Sequence, residues 1–233
     1  MSSCPKADLR LDWCSHAAAK YACEKWHYSQ TIPANRSNYV GVWERGQFIG
    51  AVVFGLGASP SLGSQYGAAM FESAECTRVA LRTHTSKVSR ILMIACRMAK
   101  KANPGLRLLV SFADPFREHH GGIYQAAGWI YTGRTSPKSI WKLSDGSWAD
   151  LRRFNGHGHN APRPVPSGAV LVKTLGKFRY LLPLDDDMRA RIAPLAKPYP
   201  KRVRSAENGT EVPTSGGGVI PTRTLQAEAV AYG

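Results

Sequence analysis

Asp114 has both the side chain and the position that suit proton transfer. It follows the run Leu106 to Phe112, which is apolar except for Arg107 and Ser111 and predicts a strand in the middle of a sheet. Ligands of such sheets bind beyond the strand ends, where a carboxylate can act as a general base. The step Asp114–Pro115 is equally typical of a turn, so the residues alone leave both interpretations open.

His27 and Tyr28 lie just beyond a predicted amphipathic helix. Four apolar residues recur there at the spacing i, i+3, i+4, i+7, and they are Ala19, Ala22, Cys23 and Trp26. Ser15 is suited to cap the start of this helix. Trp26 belongs to the apolar stripe and is expected in the core, whereas His27 falls outside the stripe and is a functional candidate.

Tyr124 and two histidines occupy the region after the apolar strand. Tyr124 lies in a short predicted helix, Gly121 to Ala127, where packing against Trp129 would be sufficient reason for its presence. His119 and His120 could bind a metal, but a third suitably spaced ligand is lacking, so no metal is predicted.

Charge is the strongest compositional signal. The net charge is +15, and the excess of Lys and Arg is shared almost equally between residues 1–150 and 151–233. Such a chain attracts polyanions, which include DNA, RNA and anionic cofactors.

The remaining composition indicates a protein of the cytoplasm. The five cysteines are odd in number and form no Cys-x-x-Cys pair, which favours free thiols over disulfides or zinc. No apolar run approaches the ~20 residues that a membrane span requires. The N-terminal residues also lack the pattern of a secretory signal.

The order of predicted elements indicates an α+β (α/β mixed) fold with a central mixed sheet flanked by helices. We expect this domain over residues 1–150, and a connector with a C-terminal β-hairpin over 151–200. That hairpin would pair Ala169–Thr174 with Phe178–Leu182 across Gly176. Residues 201–233 lack apolar periodicity and are expected to form a disordered tail.

This order resembles the GCN5-related N-acetyltransferase fold. The resemblance implies that Glu75–Leu81 is the donor-binding strand, that the helix from Val88 carries donor phosphates at its N-terminus, and that Leu106–Phe112 splays away to open a cleft. Ser89, Arg90 and Arg82 are the donor-binding candidates. Acetyltransferases of this fold wrap coenzyme A with a glycine-rich loop, but residues 82–90 contain no glycine.

Local motifs resemble the Mom family of phage DNA-modification proteins more specifically. They run in order from about Leu9 to Gly133, and are Glu24–Ser29, Gly41–Glu44, Arg78–Leu81, Val88–Ile91, Pro104–Pro115, His119–Ala126 and Trp129–Gly133. The family converts adenine in phage DNA to an N6-carbamoylmethyl form, which protects the DNA from host restriction nucleases. The resemblance therefore implies a transferase in the cytoplasm of an infected bacterium.

The resemblance also implies roles for the candidate residues. Asp114 would accept a proton from adenine N6 or from a donor amine, and Tyr124 would protonate the leaving group. His27 and Tyr28 would face the acceptor. We expect double-stranded DNA and tRNA as partners, with nucleic-acid contacts at Lys25, Arg36 and Lys138.

The chemistry of the product favours a glycyl donor. Acetyl transfer would give an amide, whereas a carbamoylmethyl group contains one more nitrogen, which glycine supplies. Glycyl-tRNA is the activated glycine of a cell, and a tRNA suits the basic chain. Acetyl-CoA stays open as the alternative donor. A small-molecule N-acetyltransferase and a non-enzymatic nucleic-acid-binding protein are the competing functions.

Overall fold

The computed structural model describes residues 8–35, 37–57, 59, 61–155 and 161–201. These residues form ten strands and four α-helices. The strands are β1 (Leu9–Trp13), β2 (Ser37–Glu44), β3 (Gln47–Gly55), β4 (Ser73–Leu81), β5 (Leu108–Ala113), β6 (Ile130–Arg134), β7 (Lys138–Lys142), β8 (Trp148–Asp150), β9 (Val170–Thr174) and β10 (Phe178–Pro183). The helices are α1 (His16–Trp26), α2 (Val88–Ala102), α3 (Gly122–Ala126) and α4 (Asp186–Ile192).

A seven-stranded mixed sheet is the centre of the molecule. Its strand order is β1-β2-β3-β4-β5-β10-β6, and β4 and β5 are its parallel neighbours. The other neighbours in this sheet are antiparallel. The expectation of a mixed α+β fold with a central mixed sheet is therefore confirmed. A second sheet, of order β8-β7-β9, is formed by the part of the chain between β6 and β10.

Helices cover both faces of the large sheet. The start of α1 is capped by Ser15, whose hydroxyl accepts from the N–H of Ala18 at 3.2 Å, as the sequence predicts. The small buried side chains of α1 allow it to pack closely on β3 and β4. Helix α2 covers the opposite face with five buried residues: Ile91, Leu92, Ala95, Cys96 and Ala99.

Strands β4 and β5 pair over only part of their length. Their parallel register covers Ser73–Glu75 against Leu108–Val110, and beyond these residues the two strands have no shared ladder. Both strands nevertheless continue, β4 to Leu81 and β5 to Ala113. The sheet thus forks between these strands, and the splay expected of β5 is present.

Three features differ from the sequence-based expectation. Strand β1 precedes α1 and pairs with β2, although no strand was expected there. The predicted C-terminal hairpin is wrong, because β9 pairs with β7 whereas β10 lies between β5 and β6. Strand β10 is therefore part of the central sheet, so the boundary expected at residue 150 does not coincide with an edge of that sheet.

Two predictions fall outside the described residues. They are the tail, from residue 202 onward, and the nucleic-acid contact at Arg36. Among the helices that the structure describes, none has the length and apolar character of a membrane span.

Candidate active site

A cleft of about 1010 Å³ lies at the fork between β4 and β5. The diverging strands supply Thr77, Val79, Leu81, Phe112 and Ala113 to its wall. The end of α1 contributes residues 25–28, the loop after β4 contributes residues 82–83, and the segment 118–124 closes the other side. The cleft therefore brings together three of the four predicted catalytic residues, namely His27, Tyr28 and Tyr124.

Aromatic rings line one wall of the cleft. The rings of His27 and Tyr28 have centroids 4.3 Å apart, and the ring of His119 stands edge-on to Tyr28 at 4.9 Å. Tyr28 is exposed, so its ring is open to a bound molecule. Aromatic faces of this kind stack well with nucleobases.

His27 is held in its uncharged form. Burial is the main reason, and the neighbouring Arg78 and His119 add to it, so that the pKa of His27 falls to about 3. Burial also lowers the pKa of His119, although Asp114 opposes this. Neither histidine therefore carries a positive charge at neutral pH.

Tyr124 is buried at the floor of the cleft. Its hydroxyl lies 2.7 Å from the hydroxyl of Ser111, which itself lies 2.8 Å from the carbonyl oxygen of Cys76. Burial raises the pKa of Tyr124, and the bond with Ser111 only partly offsets this. Tyr124 therefore keeps its proton, and the Ser111 side chain bridges the two diverging strands.

Asp114 follows the last residue of β5, as expected, but it does not line the cleft. Its carboxylate accepts from the N–H of Phe116 at 3.0 Å and lies 3.6 Å from Nζ of Lys177. The geometry fits the turn-forming role that the Asp–Pro step suggests. A catalytic role for Asp114 stays a prediction.

The donor-binding candidates are divided between two positions. Arg82 lines the cleft, whereas Ser89 and Arg90 lie in the first turn of α2 outside it. No side chain caps the start of α2, where Lys87 is the N-cap residue. Of the three candidates, Arg82 is therefore the one placed to meet a molecule in the cleft.

Glu44, the last residue of β2, is hydrogen-bonded to the loop that precedes α2. Its carboxylate oxygens accept from the N–H groups of Thr85 and Ser86, each at 2.8 Å, across more than forty residues of chain. Burial raises the pKa of Glu44, but the hydrogen bonds from Ser86 and Thr85 outweigh it and lower the pKa to about 2. These two amides are therefore already bonded to an anion of the protein itself, the Glu44 carboxylate.

The predicted nucleic-acid contacts have different surroundings. Lys25 lies at the cleft. Lys138 is exposed at the start of β7 in the small sheet. That sheet approaches the loop after β5, because the ring of Trp148 packs edge-on against Phe116 at 4.6 Å. Trp148 pairs with Lys142, at the far end of β7 from Lys138, so this contact does not bring Lys138 to the cleft. Its nucleic-acid contact stays a prediction.

Three residues of the site were not predicted: Glu44, Ser111 and His119. Glu44 and Ser111 belong to the motifs Gly41–Glu44 and Pro104–Pro115, but they act through partners more than thirty residues away, so no local pattern indicated their roles. His119 was considered as a metal ligand, not as part of an aromatic wall. Within the described ranges, no three His, Cys, Asp or Glu side chains are grouped so as to hold a metal ion.

The chain has relatives among known proteins. A curated relative, methylcarbamoylase mom of Escherichia phage Mu, is 24% identical over 208 residues, which cover 83% of this chain and 84% of that protein. A solved structure of a putative acetyltransferase from Acinetobacter baylyi ADP1 is similar with a TM-score of 0.45 and 13% identity, over 78% of this chain and 96% of that chain. The model of the Mom protein family matches residues 8–201. The match extends over most of the chain and confirms the resemblance found in the motifs, so this chain belongs to the Mom protein family.

Proposed function

We propose that this protein converts adenine in double-stranded DNA to N6-carbamoylmethyladenine, with glycyl-tRNA as the donor. The observation that carries the proposal is the cleft, which unites His27, Tyr28 and Tyr124 in a chain of the Mom family. The curated relative in phage Mu is named a methylcarbamoylase. The carbamoylmethyl group proposed here has the same atoms as a methylcarbamoyl group, joined in a different order.

The cleft suits an extruded nucleobase beside a polyanion. The rings of Tyr28 and His119 offer stacking faces, and Lys25 and Arg82 offer cations for phosphate at the same cleft. Enzymes that modify a base in a duplex take it out of the stack and bind it in such a pocket. The reacting amine would then lie close to Tyr124 on the cleft floor.

The reaction can be written with every atom assigned. Adenine N6 attacks the glycyl ester carbonyl, the bond to the tRNA 3′ oxygen breaks, and that oxygen takes up a proton. The free glycine amine then attacks C6 through a five-membered ring. When the C6–N6 bond breaks, the glycine nitrogen remains on C6, and the former N6 becomes the terminal carboxamide.

Glu44 disfavours acetyl-CoA as the donor. Acetyltransferases of the resembled fold hold the pyrophosphate of coenzyme A on the loop before this helix, but here the amides of Thr85 and Ser86 are bonded to Glu44. The absence of glycine from residues 82–90 adds side chains where such a loop needs a close approach. The residues present therefore do not fit a coenzyme A pyrophosphate at this position.

Mass spectrometry of nucleosides tests the proposal directly. DNA from cells that express the chain should contain an adenine nucleoside heavier by one carbamoylmethyl substituent. Tyr124→Phe should reduce its level by ~10²-fold or more, as expected for the loss of a positioned catalytic hydroxyl. The matched control is Tyr131→Phe, which removes a hydroxyl from the core outside the cleft. Unmodified DNA with abundant folded protein would refute the proposed function.

The donor is tested with purified components. Protein, DNA and glycyl-tRNA should form the product without acetyl-CoA, and a label on the glycine nitrogen should end on C6. Product from acetyl-CoA alone, with none from glycyl-tRNA, would refute the glycyl donor. Asp114→Asn in the same assay decides whether its carboxylate takes part in the reaction or only forms the turn.

A further inference from the structure

The ring of His27 is fixed by the residues that follow it. The backbone N–H of Ser29 donates to Nδ1 of His27 at 3.1 Å, and the Ser29 hydroxyl lies 2.8 Å from the same nitrogen. A backbone N–H can only donate, so Nδ1 must offer a lone pair. The single proton of the neutral imidazole is therefore on Nε2.

This tautomer decides what His27 can offer a substrate. Nδ1 is turned to Ser29, so Nε2 is the ring nitrogen available in the cleft. The ring resists protonation, because burial lowers its pKa to about 3. His27 thus provides an uncharged N–H donor, and it cannot act as a base through Nε2, which already carries a proton.

Tyr124 differs from His27, because its hydroxyl offers the cleft a hydrogen-bond acceptor and not a donor. The carbonyl of Cys76 can only accept, so the single hydroxyl proton of Ser111 is directed to it. The bond between Ser111 and Tyr124 must then be donated by Tyr124. With its proton committed to Ser111, Tyr124 has an oxygen lone pair left for the cleft.

We propose that His27 stabilises the oxyanion formed on the donor carbonyl, and that Tyr124, positioned by Ser111, accepts a hydrogen bond from the attacking amine. This inference rests on the proposed function. Attack of an amine on an ester carbonyl creates a negative oxygen, which a prepositioned donor stabilises, while the amine needs an acceptor for its N–H. The resemblance implied that Tyr124 is a proton donor, but its bond to Ser111 favours the acceptor role.

The tautomer can be measured without any activity. Long-range ¹H–¹⁵N correlation spectra of ¹⁵N-histidine-labelled protein separate the Nε2–H form, the Nδ1–H form and the imidazolium. The His27 signals are identified by their loss in His27→Gln. At pH 7 we expect the neutral Nε2–H pattern. An Nδ1–H pattern or an imidazolium at pH 7 would overturn the assignment.

Two substitutions of equal length separate a donor from a base. His27→Gln can place an amide N–H near the position of Nε2, whereas His27→Glu places a carboxylate there. With glycyl-tRNA and DNA, we expect kcat of His27→Gln to stay within about tenfold of the wild type. The kcat of His27→Glu should fall by ~10²–10³-fold, the usual effect of losing an oxyanion donor.

The outcomes distinguish this inference from the proposed function. Equal losses in both variants, or a higher kcat for His27→Glu, would overturn the oxyanion role. Product formation by the wild type together with an Nδ1–H tautomer would do the same. If the wild-type chain forms no product at all, the proposed function fails instead.

Discussion

Replacement of Glu44 by glutamine tests whether an internal carboxylate holds the loop before α2. Glutamine keeps the shape of the side chain, but it is neutral and turns an NH₂ group toward an amide that needs an acceptor. The pKa of Glu44 is lowered from 4.5 to about 2, and each pKa unit corresponds to about 1.4 kcal/mol. Glu44→Gln should therefore lower the free energy of unfolding at pH 7 by about 3 kcal/mol.

The pH dependence of this difference has a definite sign. The pKa of Glu44 is lower in the folded state, so its stabilisation is complete above pH 4.5 and is lost as the pH falls toward 2. Glutamine does not titrate. The difference between the wild type and Glu44→Gln should thus shrink by about 2 kcal/mol between pH 7 and pH 3.

Urea denaturation at the two pH values provides the measurement. Glu24→Gln is the matched control, because Glu24 is 47% exposed and its ion pair with Lys20 is long, at 3.7 Å. Such a surface pair contributes about 0.5 kcal/mol or less. A difference for Glu44→Gln that is no larger than that of Glu24→Gln, or one that stays the same at pH 3, would refute the reasoning.

Two further predictions concern the cleft border and the exposed Lys138. Gly121→Ala should lower the free energy of unfolding by at least ~1 kcal/mol more than Gly128→Ala, because both glycines have positive φ but only the Cβ at residue 121 would overlap the ring of Tyr180. Equal losses in urea denaturation would contradict this. Lys138→Gln should reduce the salt dependence of DNA-duplex binding by about one unit of slope, if Lys138 contacts a phosphate. An unchanged slope, as expected for Lys20→Gln on α1, would exclude that contact.

The elements with a regular local pattern could be predicted from the sequence. The apolar stripe of α1 and its Ser15 cap are contained in one short segment, and the structure has them as expected. The β2–β3 hairpin also follows from local signals, since Gly46 in its turn has a φ of 74°. These features need no knowledge of distant partners.

The C-terminal strands could not be predicted in this way. Gly176 between two β-rich segments indicated a hairpin turn, but this glycine serves a close approach of two chain segments. A Cβ at residue 176 would overlap the carbonyl of Thr135, and the N–H of Thr135 donates to the carbonyl of Lys177 at 2.9 Å. Pairing of β10 with β5 spans about seventy residues, and no pattern within β10 specifies that partner.

Only part of the candidate site could be predicted, because some of its contacts also join distant parts of the chain. His27, Tyr28 and Tyr124 lie at element ends, where the order of helices and strands brings them to one cleft. Whether His27 and Tyr124 donate or accept hydrogen bonds depends on Ser29 and Ser111. The bond from Ser111 to the Cys76 carbonyl crosses the fork between β4 and β5. A sequence pattern can identify such a residue, but it cannot show which of its atoms carries the proton.

The position of Glu44 bears on the type of anion that this fold can receive. Backbone amides of a loop that leads into a helix can form a compact site for one phosphate or diphosphate. Here the amides of Thr85 and Ser86, just before the N-cap residue Lys87, hold the Glu44 carboxylate instead. The cations left at the cleft are the side chains of Lys25 and Arg82, in a chain with a net charge of +15. Long cationic side chains on a basic surface make many separate phosphate contacts, each of which releases counterions. That arrangement favours a polynucleotide over a small diphosphate, and it supports our proposal that a tRNA and a DNA duplex, rather than coenzyme A, bind at this cleft.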